Sequence, residues 1–306
     1  MNAAATRSVS AAPRIASEEP RIGVVGSGRM AQALGRLLLQ RGQPVLYLAG
    51  RSPGRSAAAA AFIGPPIEPV VFEVLASRAT HILVAVSDSA VREVAERLVA
   101  AGTRARAVLH TAGSLGERAL DVLSASGVST GMLHPLQTVP TPEVGVAVLP
   151  GSVFAVDASG EALSWARHIA ALLDGRLLTI EPGKHARYHA AAVLASNGVT
   201  ALLDAAIRAA TGAGICEADA RAAFSSLAMA SVGSSAELGP VQALTGPVRR
   251  GDAPTVRSHL RALADCPEIA ALYRQLAIHL LDVARRAGLE EVFCQEIREA
   301  LSEEER

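Results

Sequence analysis

The chain has 306 residues, half of them apolar and 19% charged, with 29 basic side chains against 29 acidic ones. That length suits two domains of about 150 residues each, and the apolar share excludes global disorder. Balanced charge with only 3% aromatic residues excludes a nucleic-acid binder that works by neutralising phosphates or stacking bases.

No apolar run is read as reaching the roughly 18 residues that span a bilayer, so no membrane is expected. Cys216, Cys266 and Cys294 are far apart in sequence. They make neither a disulfide scaffold nor a cysteine-rich metal site, and no metal is expected. They fit a reducing cytoplasm.

Residues 1–20 are rich in Ala, Ser, Pro and Glu without periodicity and read as a disordered tail lacking the apolar core of a secretory signal. The expected first domain covers 21–182. Ile22 to Val25 reads as a buried strand, followed by a helix with Met30, Leu34, Leu37 and Leu38 on one face. Val45 to Ala49, His81 to Val86, Ala107 to His110 and Gly131 to Leu133 read as further strands, with helices near Val91–Ala101 and Glu117–Ser126. Val153 to Val156, a helix from Gly160 and Leu177 to Ile180 extend the pattern. Strands alternating with helices predict an α/β fold with a doubly wound, mostly parallel Rossmann sheet. After Pro182-Gly183 strand signals stop, and 183–306 reads as an all-α domain. Its expected helices are Lys184–Ala210, Ala218–Met229, Thr255–Ala264, Glu268–Arg286 and Glu290–Leu301.

Gly26-Ser27-Gly28-Arg29-Met30-Ala31 joins the first strand to the first helix. This is the spacing of a dinucleotide cradle: Gly26 permits the turn, Gly28 admits a pyrophosphate, and Ala31 allows close helix packing. The helix N-terminus would hold the anion. The second strand ends in Gly50-Arg51-Ser52, where an NAD site would place an acid. Arg51 and Ser52, helped by Arg55, suit a 2′-phosphate, so NADP(H) is expected. Later strand-end loops, with Ser87, Thr111 and Gly113, should line the nicotinamide half.

Hydride transfer to a carbonyl also needs a proton donor and a substrate anchor. His134, expected just after a strand and before Pro135, is one candidate donor, with His110 less favoured. Lys184 is another: it is the only lysine in an arginine-rich chain, and arginine cannot replace a compact, proton-donating ammonium. The same helical segment carries His185, Tyr188, His189, Ser196 and Asn197, with His185 and His189 on one stripe. Arg249 and Arg250, in an expected loop Leu244–Asp252, could clamp a carboxylate, with Asp252 or Thr255 capping the next helix.

G-S-G-R-M-A, G-R-S, H-T-A-G-S-L-G, L-H-P-L-Q-T, K-H-A-R-Y-H-A-A-A-V-L-A-S-N and L-T-G-P-V-R-R-G-D together resemble a family of Rossmann-like oxidoreductase homologues with a C-terminal helical domain of unassigned function. The family is similar in plan to pyrroline-5-carboxylate reductases, 3-hydroxyacid dehydrogenases, prephenate dehydrogenases and ketopantoate reductases. The resemblance implies NADPH-dependent reduction of a small keto acid, with ketopantoate the leading substrate. It matches His134 to the histidine of prephenate dehydrogenases and Lys184 to the lysine of hydroxyacid dehydrogenases and ketopantoate reductases. There an asparagine follows one turn after the lysine; here that position is Tyr188, and Asn197 comes much later. The expected roles are catalysis for Lys184, His134, His189 and Asn197, and substrate binding for Tyr188, Ser196, Arg249 and Arg250. A homodimer through the C-terminal helices is expected. Two other readings stay open: a non-catalytic NADP(H)-binding sensor or scaffold, and an imine reductase of the pyrroline-5-carboxylate reductase type.

Overall fold

Four consecutive buried residues in a strand mean that both faces of the sheet are covered, and Ile22–Val25 (β1) is such a strand. The computed structural model describes residues 20–303. The expected tail, except its last residue, lies outside the described residues. From β1 the chain continues through Arg29–Gln40 (α1), Val45–Ala49 (β2), Pro53–Ile63 (α2), Glu68–Pro69 (β3), Phe72–Arg78 (α3), His81–Val84 (β4), Val91–Ala100 (α4), Ala107–His110 (β5), Asp121–Ser124 (α5), Ser129–Pro135 (β6), Pro142–Val148 (α6), Val153–Ala158 (β7), Gly160–Leu172 (α7) and Arg176–Thr179 (β8). The strand order is β3-β2-β1-β4-β5-β6-β7-β8. Every pair is parallel except β6–β7, which is antiparallel. The doubly wound, mostly parallel sheet is therefore present.

Alternation along β4 divides the core. Leu83 joins Leu34, Leu38, Ile63 and Trp165 on one face of the sheet. Ile82 and Val84 join Leu75, Val91, Leu98 and Leu120 on the other. The direction of winding reverses between β1 and β4, the place where a crevice opens at the strand ends.

The sequence reading omits β3, α2, α3 and α6. Two-residue β3 has no periodicity to detect, and α2 is mostly alanine. The expected helix at Glu117–Ser126 is a 3₁₀ turn, Glu117–Leu120, followed by short α5. Strand β6 is longer than expected and takes in His134, because β7 pairs His134 with Ala155 and Pro135 with Phe154. His134 is thus a strand residue rather than the first residue of a loop.

The remaining chain is helical: His185–Ala195 (α8), Asn197–Gly212 (α9), Glu217–Leu238 (α10), Pro240–Ala243 (α11), Gly246–Arg250 (α12), Ala253–Ala262 (α13), Pro267–Arg286 (α14) and Glu291–Ser302 (α15). The chain divides at Val193/Leu194 into two compact units, eleven residues beyond the expected boundary at Pro182-Gly183. The first turns of α8 belong with the sheet because Tyr188 packs on Met132, Ala155 and Ile180. In the second unit Val248, Val256, Leu260, Leu281, Cys294, Ile297 and Leu301 form a core. The expected single helix from Lys184 to Ala210 is two, interrupted at Ser196. The expected loop Leu244–Asp252 contains α12, and Asp252 caps α13 by accepting Thr255 N–H at 3.1 Å.

The helical run His185–Gly212 is long and apolar enough to cross a membrane by length and composition, and the residues of its apolar window are unburied. Its alanines supply that apolar character without the bulky side chains that mark a spanning segment to the eye.

Candidate active site

Gly26 has φ +123°, and a Cβ there would fall 2.2 Å from the Ala85 carbonyl oxygen. Only glycine fits, so the turn after β1 is held against the end of β4. Gly28 is exposed with open space where a Cβ would stand. It is the N-cap of α1, with no side-chain cap and no acid in the first turn. The free N–H groups and positive end of this helix therefore face outward at a bare glycine, a fitting seat for a pyrophosphate. Ala31 is completely buried against the sheet.

These residues line a cavity of about 590 Å³, a volume in the range of small-molecule sites. Gly26, Ser27, Gly28, Arg51, Ser52 and Ser87 all contribute to its wall, with Arg55 beside them. Gly50 lets the end of β2 come close, since a Cβ there would meet Ser56 Oγ at 2.8 Å. No carboxylate stands at the end of β2, and Arg51 is exposed. Ser52 caps α2 through its hydroxyl, accepting Arg55 N–H at 3.5 Å. The wall also includes Phe72 and Arg97, which sequence reasoning missed. The Arg97 guanidinium lies 4.1 Å from the Phe72 ring centre and 3.5 Å from Glu73. Nothing in sequence distinguishes Arg97 from a solvated helix residue. The donor set fits NADP(H): a helix terminus for the pyrophosphate, and Arg51 and Ser52 with no carboxylate at the end of β2, while Glu73 and Glu93 line the wall on α3 and α4. Arg51→Ala is expected to weaken NADPH binding about tenfold, the loss of one charged hydrogen bond. NADH binding should stay unchanged, as read by fluorescence titration of both nucleotides.

Two other expected cofactor residues point elsewhere. Arg29 donates to Pro140 O at 3.1 Å, and half-buried Met30 packs on the core. Thr111 is buried, with its N–H bonded to Val84 O at 3.1 Å. This fixes the loop after β5 beside β4. Gly113 follows, and a Cβ on it would lie 2.8 Å from the His134 ring. The imidazole therefore rests directly on glycine backbone. His134 lies two strands along the sheet from β4. At about 4.8 Å per strand that is roughly 10 Å, a step along the edge from the pyrophosphate seat.

At this edge His134 Nδ1 is 2.9 Å from Tyr188 Oη. The His189 ring stands edge-on to His134 at 5.8 Å, with its Nδ1 buried and unpartnered among the described residues. Burial, and then the neighbouring His189, push the His134 imidazole down to about 4. Burial raises the Tyr188 phenol to about 12. At neutral pH this is a hydrogen-bonded pair of uncharged groups. The Asp88 carboxylate pulls the other way, raising the His134 imidazole less than burial and His189 lower it. Asp88 accepts a hydrogen bond from Ser114 Oγ. His110 is fully buried, with Nε2 3.0 Å from Gly116 O, and belongs to the loop scaffold.

Of the remaining expected residues, Lys184 belongs to the first unit and Ser196, Asn197, Arg249 and Arg250 to the second. Lys184 is exposed, and its ammonium pairs with no group among the described residues. Ser196 donates to Asn197 Oδ1 at 3.0 Å where α9 begins. Arg249 donates to Ala287 O at 3.1 Å, satisfying a carbonyl at the end of α14. Arg250 is exposed.

A cradle at the switch point of a doubly wound sheet, with a protic pair farther along the strand ends, defines a Rossmann oxidoreductase. Within that class, residues 21–113 match the family model for NADP oxidoreductases, coenzyme F420-dependent. Residues 152–280 match that of a domain of unknown function, DUF2520. The resemblance read from the motifs is thereby borne out. No curated protein matches the chain. Solved structures share the fold. A Bacteroides fragilis protein assigned as an NADP oxidoreductase is 23% identical over 86% of this chain and 98% of that one, with a TM-score of 0.72. A reductive aminase from Aspergillus terreus, in complex with NADPH and ethyl levulinate, is 16% identical over 92% and 99%, with a TM-score of 0.63. A pyrroline-5-carboxylate reductase from Coxiella burnetii is 14% identical over 89% and 100%, with a TM-score of 0.56.

Proposed function

We propose that this protein is an NADPH-dependent reductase of a carbon–nitrogen double bond, acting on a small imine. The reading rests on one observation: the groups in contact at this edge are an imidazole and a phenol, His134 Nδ1 lying 2.9 Å from Tyr188 Oη, and no lysine or arginine is bonded to either among the described residues. Hydride addition to a ketone builds negative charge on oxygen and calls for a cation nearby. Hydride addition to a protonated imine discharges a cation, which two uncharged hydrogen-bonding groups accommodate. The reductive aminase and the pyrroline-5-carboxylate reductase that share this fold support the same reading.

The keto-acid expectation leaned on Lys184 and on a two-armed arginine clamp. Lys184 has no partner among the described residues, and Arg249 is engaged by Ala287. Ketopantoate draws no support from the structures compared.

When bound, NADPH supplies a hydride to the imine carbon. Tyr188 would give its hydroxyl proton to the nitrogen of the neutral imine, forming the cation that the hydride then discharges, so that C=N becomes CH–NH. His134, carrying its proton on Nδ1, donates to Tyr188 Oη and stabilises the oxygen left behind. Water restores the tyrosine proton. Gly113 keeps the imidazole in place.

The test is NADPH oxidation with cyclic imines, with ketone–amine mixtures and with small oxo acids including ketopantoate. Turnover on the first two and none on the third is expected. Turnover on oxo acids alone would replace this reading with the keto-acid one. Tight NADPH binding with no turnover on any of them would favour a cofactor-binding sensor. The expected homodimer draws support from the second unit, where Leu227, Met229 and Val232 of α10 are all more than half exposed.

A further inference from the structure

His185 is buried in the first turn of α8, three and four residues before Tyr188 and His189. Its Nε2 lies 2.9 Å from Asp157 Oδ2, close but out of line for a ring N–H hydrogen bond. The same oxygen accepts the Glu117 N–H at 3.0 Å. Between them stands Gly116, where a Cβ would fall 2.7 Å from His185 Cε1 and 2.8 Å from Asp157 Oδ2. The loop after β5, the end of β7 and the start of α8 thus meet at one carboxylate. His110 braces that loop from below. Its Nδ1 accepts the Ala112 N–H at 3.2 Å, which leaves the ring proton on Nε2 for Gly116 O.

The register explains why this matters for Tyr188. Asp157 stands opposite Met132 on β6, and His134 lies two residues farther along that strand. Two strand residues advance about 6.8 Å, and the three residues from His185 to Tyr188 about 4.5 Å along the helix. With His185 at the level of Asp157, the long tyrosine side chain covers the difference and reaches His134. We infer that Asp157, His185 and Gly116 form a latch that fixes the first turn of α8 and so holds the Tyr188 hydroxyl against His134. Asp157 and His185 are positioning residues. The catalytic consequence rests on the reduction proposed above; the Tyr188–His134 contact does not.

The test uses the full chain and two conservative variants, Asp157→Asn and His185→Gln, each checked for folding by thermal melting. Nitrogen NMR of the histidine rings at neutral pH reads the His134 Nδ1 signal, assigned by its loss in His134→Gln. Tyr188→Phe shifts that signal by removing its partner. Either latch variant is expected to shift it in the same direction. Each should lower kcat about tenfold or more by misplacing the hydroxyl, with KM for NADPH little changed. Added to Tyr188→Phe, either should cost nothing further, because the latch acts through Tyr188. An unmoved His134 signal in a folded variant overturns the latch, and so does a loss of kcat that adds to that of Tyr188→Phe. A shifted signal in a chain that turns over no imine upholds the latch and overturns the proposed reaction.

Discussion

Tyr188→Phe is expected to lower kcat for imine reduction by about two orders of magnitude, the contribution of one positioned proton donor. NADPH affinity should be unchanged, because Tyr188 is no part of the cavity wall around the cradle. Phenylalanine keeps the packing on Met132, Ala155 and Ile180, so the melting temperature is a control rather than a readout. The pH profile sharpens the test. Burial, followed by His189, holds the His134 imidazole down at about 4, and burial holds the Tyr188 phenol up at about 12. Between those limits neither group changes charge, so kcat should be flat across the neutral range. It should fall as pH drops toward about 4, where His134 takes up a proton and repels a cationic imine. A bell centred near neutrality, or a Tyr188→Phe enzyme with full turnover, would remove this pair from the chemistry.

Gly26→Ala and Gly28→Ala should separate stability from cofactor affinity. At Gly26 the new methyl would meet a backbone carbonyl at 2.2 Å with φ +123°. Neither can give way without moving the end of β4. Forcing a left-handed residue costs about 1–3 kcal/mol before that clash is counted. The variant should melt several degrees lower, at about 2–4 °C per kcal/mol for a protein of this size. It should also lose most NADPH binding. At Gly28 no atom lies within 4 Å of the new methyl. That variant should melt like the parent yet bind NADPH at least tenfold more weakly, because the methyl occupies the place of the anion. Paired melting and fluorescence titrations check both. Equal effects at the two positions would contradict the cradle described for this turn.

The cradle was legible because its residues are consecutive and each follows from backbone geometry: a turn, an approach and a close packing. Arg51 was legible by contrast, standing where an acid would mark the other nicotinamide cofactor. Phe72 and Arg97 were not, since only the fold brings α3 and α4 to the same cavity. The polar run in α8 drew notice as polar groups in an alanine-rich helix, but periodicity does not say which of them meets the sheet. Lys184 illustrates the limit. Its rarity marks it in composition, which names no partner, and in the structure the side chain is exposed just before α8. His134 was found for its place before Pro135, although its strand extends through it. The antiparallel pairing that extends β6 is set by β7, whose direction no local pattern reveals. Asp157 and Gly116 became visible only when three elements, distant in sequence, met at one oxygen.

The reversal of β7 has a consequence for how the polypeptide reaches its reacting groups. Had β7 and β8 run with the other strands, the chain would leave the sheet at the nucleotide rim and the following helix would lead away from it. Because both run the opposite way, the exit is at the far rim. α8 then climbs back along the body of the sheet, delivering its tyrosine on the way. Two inverted strands thus decide that the proton source arrives on a helix anchored from behind, instead of on a loop hanging over the mouth.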